Sequence, residues 1–156
     1  MMAINQRKLD AECENYCGEI RNKVVVQRKY YKQGSAYWDY PTVASVCQSN
    51  SYGCKKKNFS RPMRKCNHLL LKEICKYGKL GESASKNKPH YDNAHPNYPL
   101  GNCAEQHAAS DVLNELDKKH CQTSLGDLFF SQARYVRDNR ATPACLNCQT
   151  LLPNAK

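Results

Sequence analysis

Apolar side chains near the start of the chain recur three or four residues apart, and polar side chains fill most of the positions between them. The apolar positions are Leu9, Cys13, Cys17, Ile20 and Val24. Because a helix completes a turn in about 3.6 residues, this spacing places all of them on one face. The pattern therefore predicts an amphipathic first helix.

Two more segments show the same helical spacing. The second helix is predicted to begin near Pro62 and to end at Gly78, with an apolar stripe formed by Cys66, Leu69, Leu70, Ile74 and Tyr77. The third is predicted to run from Ala104 to about Lys119, with a stripe formed by Ala108, Ala109, Val112, Leu113 and Leu116. Basic residues at the end of the third helix complement the helix dipole.

The segments around the second helix carry weaker patterns. Residues 37–47 are aromatic and β-branched but contain Pro41, which predicts an edge strand or an ordered loop. Residues 48–60 are rich in Ser, Asn, Gly and Lys, which predicts an exposed basic loop. Residues 78–101 combine Pro and Gly with Ser, Asn and Lys, so we expect a long irregular connection there.

The last part of the chain predicts a strand followed by a short helix. Residues 128–133 are mostly apolar and indicate a strand packed between layers. Residues 136–142 indicate a polar loop, and a short helix is predicted to start near Pro143.

Length and composition limit the class of protein. A chain of 156 residues suits a single domain, 1–156, with a real core. Apolar residues make up 40% of it, and no apolar run approaches the length of a membrane span. Residues 1–8 lack the apolar core of a signal peptide. We therefore expect a soluble globular domain with no membrane partner and leave its localisation open.

The net charge of +10 is unevenly distributed. Residues 1–100 carry 18 Lys and Arg against 8 Asp and Glu, whereas residues 101–156 carry 6 of each kind. The first part also contains Trp38 and nine of the ten tyrosines. Interleaved basic and aromatic side chains attract phosphates and stack on bases, so nucleic acid is the expected partner. A basic surface that only aids solubility is the alternative.

Two short motifs carry the candidate chemistry. Cys103-Ala104-Glu105 lies at the predicted start of the third helix, and the segment 143–148, Pro-Ala-Cys-Leu-Asn-Cys, supplies Cys145 and Cys148. The two cysteines of the second motif are three residues apart, so both sulfurs point to one side of a first helical turn. Three thiolates bind one metal ion and leave a fourth position for water, and the carboxyl group of Glu105 then carries protons.

These motifs resemble the zinc site of the cytidine deaminase-like superfamily, whose general pattern is His or Cys, then x-Glu, and later Pro-Cys-x-x-Cys. Residues 101–105, Gly-Asn-Cys-Ala-Glu, are most similar to the bacterial toxin-type deaminases that use Cys as the first ligand. In this chain Ala144 separates Pro143 from the first cysteine of the pair. The resemblance implies an α/β helix-sheet-helix sandwich, with a basic helical N-terminal elaboration in residues 1–100 and a zinc-site core in residues 101–156.

The resemblance also implies a role for each motif residue. Cys103, Cys145 and Cys148 would bind Zn²⁺, and Glu105 would act as general acid and base without being a ligand. The implied reaction is hydrolytic deamination of cytosine to uracil in DNA or RNA. By family analogy alone, an inhibitory immunity protein is an expected partner, and a cytoplasmic site of action after delivery as a toxin domain is expected.

Four residues close to Cys103 in the sequence are candidates for substrate binding. Asn102 would hydrogen-bond the sugar or the base edge, and its alternative role is to cap the third helix. Tyr91, His95 and Tyr98 lie in the long connection, where one of these rings would stack on the target base. Ordinary packing of this loop is the alternative.

Other functions remain open from the sequence. A deaminase of free cytidine- or adenosine-type nucleosides or nucleotides would share the same metal motifs. His107 lies four residues after Cys103 and would close a Cys₃His site, which would make the protein a non-catalytic, zinc-stapled nucleic-acid-binding module. A disulfide-stabilised secreted protein would use the even number of cysteines. For the upstream cysteines we expect core packing, with a second metal site or disulfides as alternatives; they are Cys13, Cys17, Cys47, Cys54, Cys66 and Cys75.

Overall fold

The computed structural model describes residues 4–28, 43–94 and 98–156, and for residues 24–28 it describes the backbone alone. The helices of these residues are α1 (Gln6–Arg28), α2 (His68–Ile74), α3 (Ala104–Lys118) and α4 (Leu146–Leu151). The strands are β1 (Val43–Ser49), β2 (Lys55–Phe59), β3 (Leu128–Phe130), β4 (Ala133–Tyr135) and β5 (Ala141–Thr142).

The five strands form one antiparallel sheet in the order β2-β1-β4-β5, and β3 also pairs with β1. Opposite β1, the pairing register shifts by one residue between β3 and β4, because Cys47 faces Phe130 whereas Ala44 faces Arg134. The extra residue makes a bulge, and the backbone N–H of Gln132 there donates to Asp10 of α1 (2.7 Å). Where the sequence predicts one strand over residues 128–133, the structure has β3, the bulge and the first residue of β4.

Helices cover both faces of the sheet. Successive residues of β1 point to opposite faces, so each face of this strand packs against different helices. Ala44 and Val46 pack in a cluster with the apolar stripe of α1. Cys47 packs in a larger cluster with α2, α3 and α4, in which Phe130 is fully buried. The protein is therefore a mixed α/β domain with helices on a five-stranded antiparallel sheet. Strands β1 and β2 come from residues 1–100, so the basic part of the chain supplies two of the five strands.

The structure confirms the helices with the clearest apolar stripes. The stripe of α1 is buried from Leu9 to Ile20, and the stripe of α3 is buried at all its positions. The short helix after Pro143 is present as α4. The second helix is shorter than predicted, because Asn67 caps it by accepting a hydrogen bond from the N–H of Leu69 (3.0 Å).

The prediction of a basic loop over residues 48–60 is wrong, because residues 55–59 form β2 and pair with β1. Two lysines of β2 lie against α1, where Lys55 forms an ion pair with Glu12 (2.5 Å) and Lys57 one with Glu19 (3.3 Å). Lysines are common on edge strands because they discourage pairing with other chains.

The prediction of an edge strand over residues 37–47 is also wrong for its described part, because β1 has strands on both sides. Residues 37–42 lie outside the described residues. The predicted polar loop 136–142 contains β5, which pairs with β4 through a tight turn in which Asn139 has a φ of 64°. In the connection 78–101, the described residues 78–94 and 98–101 are irregular as predicted, apart from a 3-10 turn at Tyr91–Asn93. Within the described ranges, no helix has the length and apolarity needed to cross a membrane.

Candidate metal centre

The start of α3 holds the first motif in place. Gly101 has a φ of 89°, and a Cβ at this position would collide with Leu80, so glycine is required before the helix. Its backbone N–H donates to Oε1 of Gln106 (2.7 Å), a side chain in the first turn of α3. Cys103 is the residue that precedes the first helical residue and has extended backbone angles. This arrangement fixes the direction in which the Cys103 side chain leaves the backbone.

The second motif lies at the start of α4 and is also held by hydrogen bonds. Cys145 precedes the first helical residue, and Cys148 lies within the first turn. The extra residue of this motif, Ala144, is buried, and its N–H donates to the carbonyl oxygen of Lys156 (2.6 Å). Its own carbonyl oxygen accepts a hydrogen bond from Gln149 of α4 (2.7 Å). Ala144 therefore anchors the segment that leads into the cysteine pair.

The two helix starts bring three sulfur atoms together. The Sγ atoms of Cys103, Cys145 and Cys148 all lie within 4.8 Å of one another, and those of Cys103 and Cys145 are 3.1 Å apart. Zinc–sulfur bonds of about 2.3 Å in a tetrahedral arrangement place sulfurs about 3.8 Å apart. The three thiols therefore fit a zinc ion with only a small adjustment. Among the described residues this is the one group of three or more His, Cys, Asp or Glu side chains that can hold a metal ion.

The three thiols of this group differ in pKa. Hydrogen bonds from Cys103 and Cys148, and further ones from the backbone N–H groups of Cys148 and Asn147, lower the pKa of Cys145 to about 3. The hydrogen bond to Cys145 raises the pKa of Cys103, and burial raises the pKa of Cys148. These hydrogen bonds favour the thiolate form of Cys145, which is the form of cysteine that binds metal.

Glu105 interacts with the thiols of Cys148 and Cys145 but does not belong to the group of three cysteines. Its side chain is 97% buried, since only 3% of the residue is exposed, and burial raises the pKa of its carboxyl group. A hydrogen bond with Cys148 acts in the opposite direction and places the carboxyl group next to that thiol. A buried carboxyl group held beside a metal site, and not used as a ligand, is suited to proton transfer.

Gln106 is a site residue that the sequence analysis missed. It is fully buried, and its Nε2 donates to the Sγ of Cys148 (3.4 Å) while its Oε1 accepts from the backbone of Gly101. It thus links the two motifs through one side chain. A signal was present in the sequence, because Gln at the third helical position is a common partner of the residues before a helix.

A cavity of about 500 Å³ opens beside the cysteines. Its lining includes Glu105, Asn102, Cys103 and Cys145, with Tyr98 at its wall. Further lining residues come from the sheet and the β5–α4 connection, namely Val43, Ser60, Ala133, Tyr135, Thr142, Pro143 and Ala144. A cavity of this volume accepts a small ring-shaped ligand.

Of the four candidate substrate-binding residues, two lie at the cavity. Asn102 and Tyr98 line the cavity, and 48% of Tyr98 is exposed. Tyr91 begins the 3-10 turn of the long connection and is not among the lining residues. His95 lies outside the described residues.

His107 is turned away from the metal group. Its Nε2 lies 2.7 Å from the carbonyl oxygen of Arg61, and burial lowers its pKa. It is not a member of the group of three cysteines. The position of His107 therefore does not support a closed Cys₃His site in which His107 is the fourth ligand.

The remaining cysteines have mainly packing roles. Cys13, Cys17 and Cys47 are buried in the two apolar clusters, and Cys54, Cys66 and Cys121 pack against the larger one. Cys75 is exposed. All ten cysteines are among the described residues, and each is a free thiol.

Comparison of the chain with models of protein families, with curated proteins and with solved structures finds no match. The fold and the site together define the class of this protein, which is a mixed α/β domain with a group of three cysteines that can hold a metal ion.

Proposed function

We propose that this protein is a zinc-dependent hydrolytic deaminase that converts cytosine to uracil in nucleic acid. The observation that carries the proposal is the position of Glu105, a buried carboxyl group beside three clustered thiols at the wall of a cavity. A structural zinc site has no need for such a group, because all its ligands come from the protein. The motif resemblance to the cytidine deaminase-like superfamily supports the same reaction.

Each residue of the site would have its own role in the reaction. Cys103, Cys145 and Cys148 would hold Zn²⁺, which lowers the pKa of water and polarises it as a nucleophile. The carboxylate of Glu105 accepts a proton from the water that adds to C4 of cytosine and delivers this proton to N3 of the ring. It then transfers the second proton of that water to the exocyclic amine as the bond from C4 to nitrogen breaks. Ammonia leaves, and the ring is uracil.

The cavity walls would hold the base in the orientation that this transfer requires. Asn102 adjoins the first ligand and lines the cavity, so its side-chain amide can bond the base edge or the sugar. Tyr98 offers an aromatic face at the cavity wall for stacking. The basic composition of residues 1–100 supports nucleic acid as the substrate. An immunity protein as partner and delivery as a toxin domain stay proposals that rest on the resemblance.

The test is an incubation of the zinc-loaded protein with single-stranded DNA, duplex DNA, RNA and free nucleosides, each containing cytosine or adenine. Ammonia release and the mass change of the base are measured together. We expect uracil to form in a nucleic acid substrate, and Glu105→Gln to lower the rate by about 10²- to 10⁴-fold while keeping its zinc. Glu115→Gln, on the same helix but away from the site, is the matched control and keeps full activity.

The substrate panel separates the alternatives. Turnover of free cytidine alone would replace nucleic acid with a nucleoside as substrate, and conversion of adenine alone would change the base. Absence of turnover on every substrate, with zinc bound, would refute the deaminase proposal.

A further inference from the structure

One wall of the cavity carries a half-exposed aromatic residue, Tyr98, which belongs to the long connection before α3. Because about half of Tyr98 is exposed, contact with the core alone does not fix its position. Two residues further on, Leu100 is buried; its N–H donates to the carbonyl oxygen of Glu82 (2.9 Å), and its carbonyl oxygen accepts from Gly81 (2.8 Å). These bonds hold the chain after Tyr98, so the position of Tyr98 depends on what holds its own backbone.

The backbone of Tyr98 is held by a proline and by a helix. Pro99 follows it directly, and a residue before proline is restricted to extended conformations, because the proline ring clashes with a helical one. The helix is α4, in which Nδ2 of Asn147 donates a hydrogen bond to the carbonyl oxygen of Tyr98 (3.2 Å). The proline limits the conformation of Tyr98, and the hydrogen bond fixes its position relative to α4.

Asn147 belongs to the second cysteine motif, between Cys145 and Cys148. Its backbone N–H forms a hydrogen bond with the thiol of Cys145, and its side chain bonds Tyr98. Only 1% of Asn147 is exposed, and a buried side-chain amide is unfavourable unless it is hydrogen-bonded. A single buried residue therefore contacts a candidate metal ligand through its backbone and the cavity wall through its side chain.

The same helix contacts the long connection at a second point, away from the cavity. Oγ1 of Thr150 lies within hydrogen-bond distance of the carbonyl oxygen of Asn93. Neither of these two residues lines the cavity. This second contact therefore holds the connection without holding the cavity wall, and it provides a comparison for Asn147.

We propose that Asn147 is a positioning residue, which joins the cysteine pair to Tyr98 and so sets the place of this aromatic wall relative to the metal centre. Asn147 acts on Tyr98 and does not touch the reacting atoms. The proposal rests on the proposed function for the ligand of this wall, a pyrimidine base, whereas the link between Asn147 and Tyr98 does not depend on the reaction. A displaced ring weakens stacking on the base and moves C4 away from the attacking water.

The test uses substitutions that remove one contact each. Asn147→Leu removes the N–H donor with little change in side-chain volume, and the backbone N–H on Cys145 remains. Asn147→Ser has a side chain too short to reach Tyr98 and replaces the leucine variant if that variant does not fold. Thr150→Val is the matched control, because it removes the other contact of α4 with the same connection. Zinc affinity, measured by competition with a chelator, is expected to be unchanged in all of them.

The first measurement reports the position of Tyr98 without any ligand. Fluorine is introduced on the ring of Tyr98 alone, as 3-fluorotyrosine, and its NMR resonance is recorded in the zinc-loaded protein. We expect Asn147→Leu to shift this resonance toward its position in the urea-unfolded protein, and Thr150→Val to leave it in place. An unshifted resonance in Asn147→Leu, or an equal shift in Thr150→Val, would overturn the proposal.

The second measurement asks whether Asn147 acts through the Tyr98 ring. Binding of a fluorescent 12-nucleotide oligodeoxyuridylate, which carries the product base and is not turned over, is followed by anisotropy. We expect Tyr98→Ala to weaken binding about tenfold and Asn147→Leu about fivefold. Tyr98→Ala keeps the carbonyl oxygen that Asn147 bonds but removes the ring, so adding Asn147→Leu to it is expected to cause no further loss. Losses that add would mean a general structural role and would contradict the proposal.

The two measurements separate this proposal from the proposed function. If the fluorine resonance shifts as expected but no cytosine is ever deaminated, the proposed function fails and the positioning of Tyr98 by Asn147 stands. If cytosine is deaminated but the resonance is unchanged in the Asn147 variants, the function stands and the positioning role fails. An oligomer that binds none of the proteins would contradict the proposed substrate, and the fluorine resonance would still decide the role of Asn147.

Discussion

Zinc is expected to stabilise the fold strongly, because its three candidate ligands come from two helix starts that lie far apart in the sequence. Cys103 precedes α3, whereas Cys145 and Cys148 belong to the start of α4. The unfolded chain does not hold these sulfurs together, so an ion that binds the three thiols binds the folded state selectively. Removal of zinc with a chelator, or Cys103→Ser, is expected to abolish this stabilisation.

The size of the effect follows from mass action. Free zinc at a hundred times its dissociation constant adds about 2.7 kcal/mol to the free energy of unfolding. The entropy of unfolding is about 2.1 cal/mol/K per residue, so the value for 156 residues is about 330 cal/mol/K. Dividing the first quantity by the second gives a rise in melting temperature of about 8 °C.

The assay is differential scanning calorimetry of the metal-free protein, with and without added zinc. The control variant is Cys75→Ser, which makes the same atomic change at an exposed cysteine outside the three-thiol group. We expect the shift to persist in Cys75→Ser and to vanish in Cys103→Ser. An equal shift in Cys103→Ser, or a shift lost only in Cys75→Ser, would refute this assignment of the ligands.

Three further substitutions test how the site and the core are held. Gln106→Ala is expected to weaken zinc binding about 10- to 100-fold, because it removes the hydrogen bond to Cys148; competition with a chelator measures this, and unchanged affinity would argue against the role. Asn67→Ala is expected to lower the free energy of unfolding by about 1–3 kcal/mol in urea titrations, because its side chain caps α2 and bonds two side chains of α3. Phe130→Ala is expected to cost about 3–5 kcal/mol in the same titrations, since Phe130 is fully buried. The half-buried Phe129 is its control, and an equal cost for Phe129→Ala would contradict the difference in burial.

Elements whose burial follows from local spacing could be predicted from the sequence. The stripe of α3 alternates with polar residues at the helical period, and each of its apolar positions is buried. The same holds for α1, where Leu9, Cys13, Cys17 and Ile20 are buried. In these segments the period of the side chains alone decides which face meets the sheet.

β2 could not be predicted, because its stability is not local. Its sequence, Lys-Lys-Lys-Asn-Phe, contains little β propensity. What makes it a strand is pairing with β1, together with the glutamates of α1 that neutralise Lys55 and Lys57. β1 is a neighbour in sequence, but Glu12 and Glu19 lie 43 and 38 residues away from their lysines, so a local pattern carries no trace of these ion pairs.

The candidate metal ligands could be predicted, whereas most of the cavity could not. The motif spacing indicated Cys103, Cys145 and Cys148, and the structure brings their sulfurs together. Ser60 and Tyr135 line the cavity because the sheet places the ends of β2 and β4 on the two sides of β1. That contact depends on strand order, which single-residue patterns do not encode.

The central claim is that three sulfurs hold the ion and leave one coordination position to solvent. Zinc X-ray absorption on the loaded protein and on His107→Ala tests it most directly. The account predicts three sulfur neighbours at about 2.3 Å and one oxygen neighbour, identical in both proteins and without the outer-shell scattering of an imidazole ring. Imidazole scattering that disappears in His107→Ala, or a fourth sulfur, would mean a closed structural site and contradict the account.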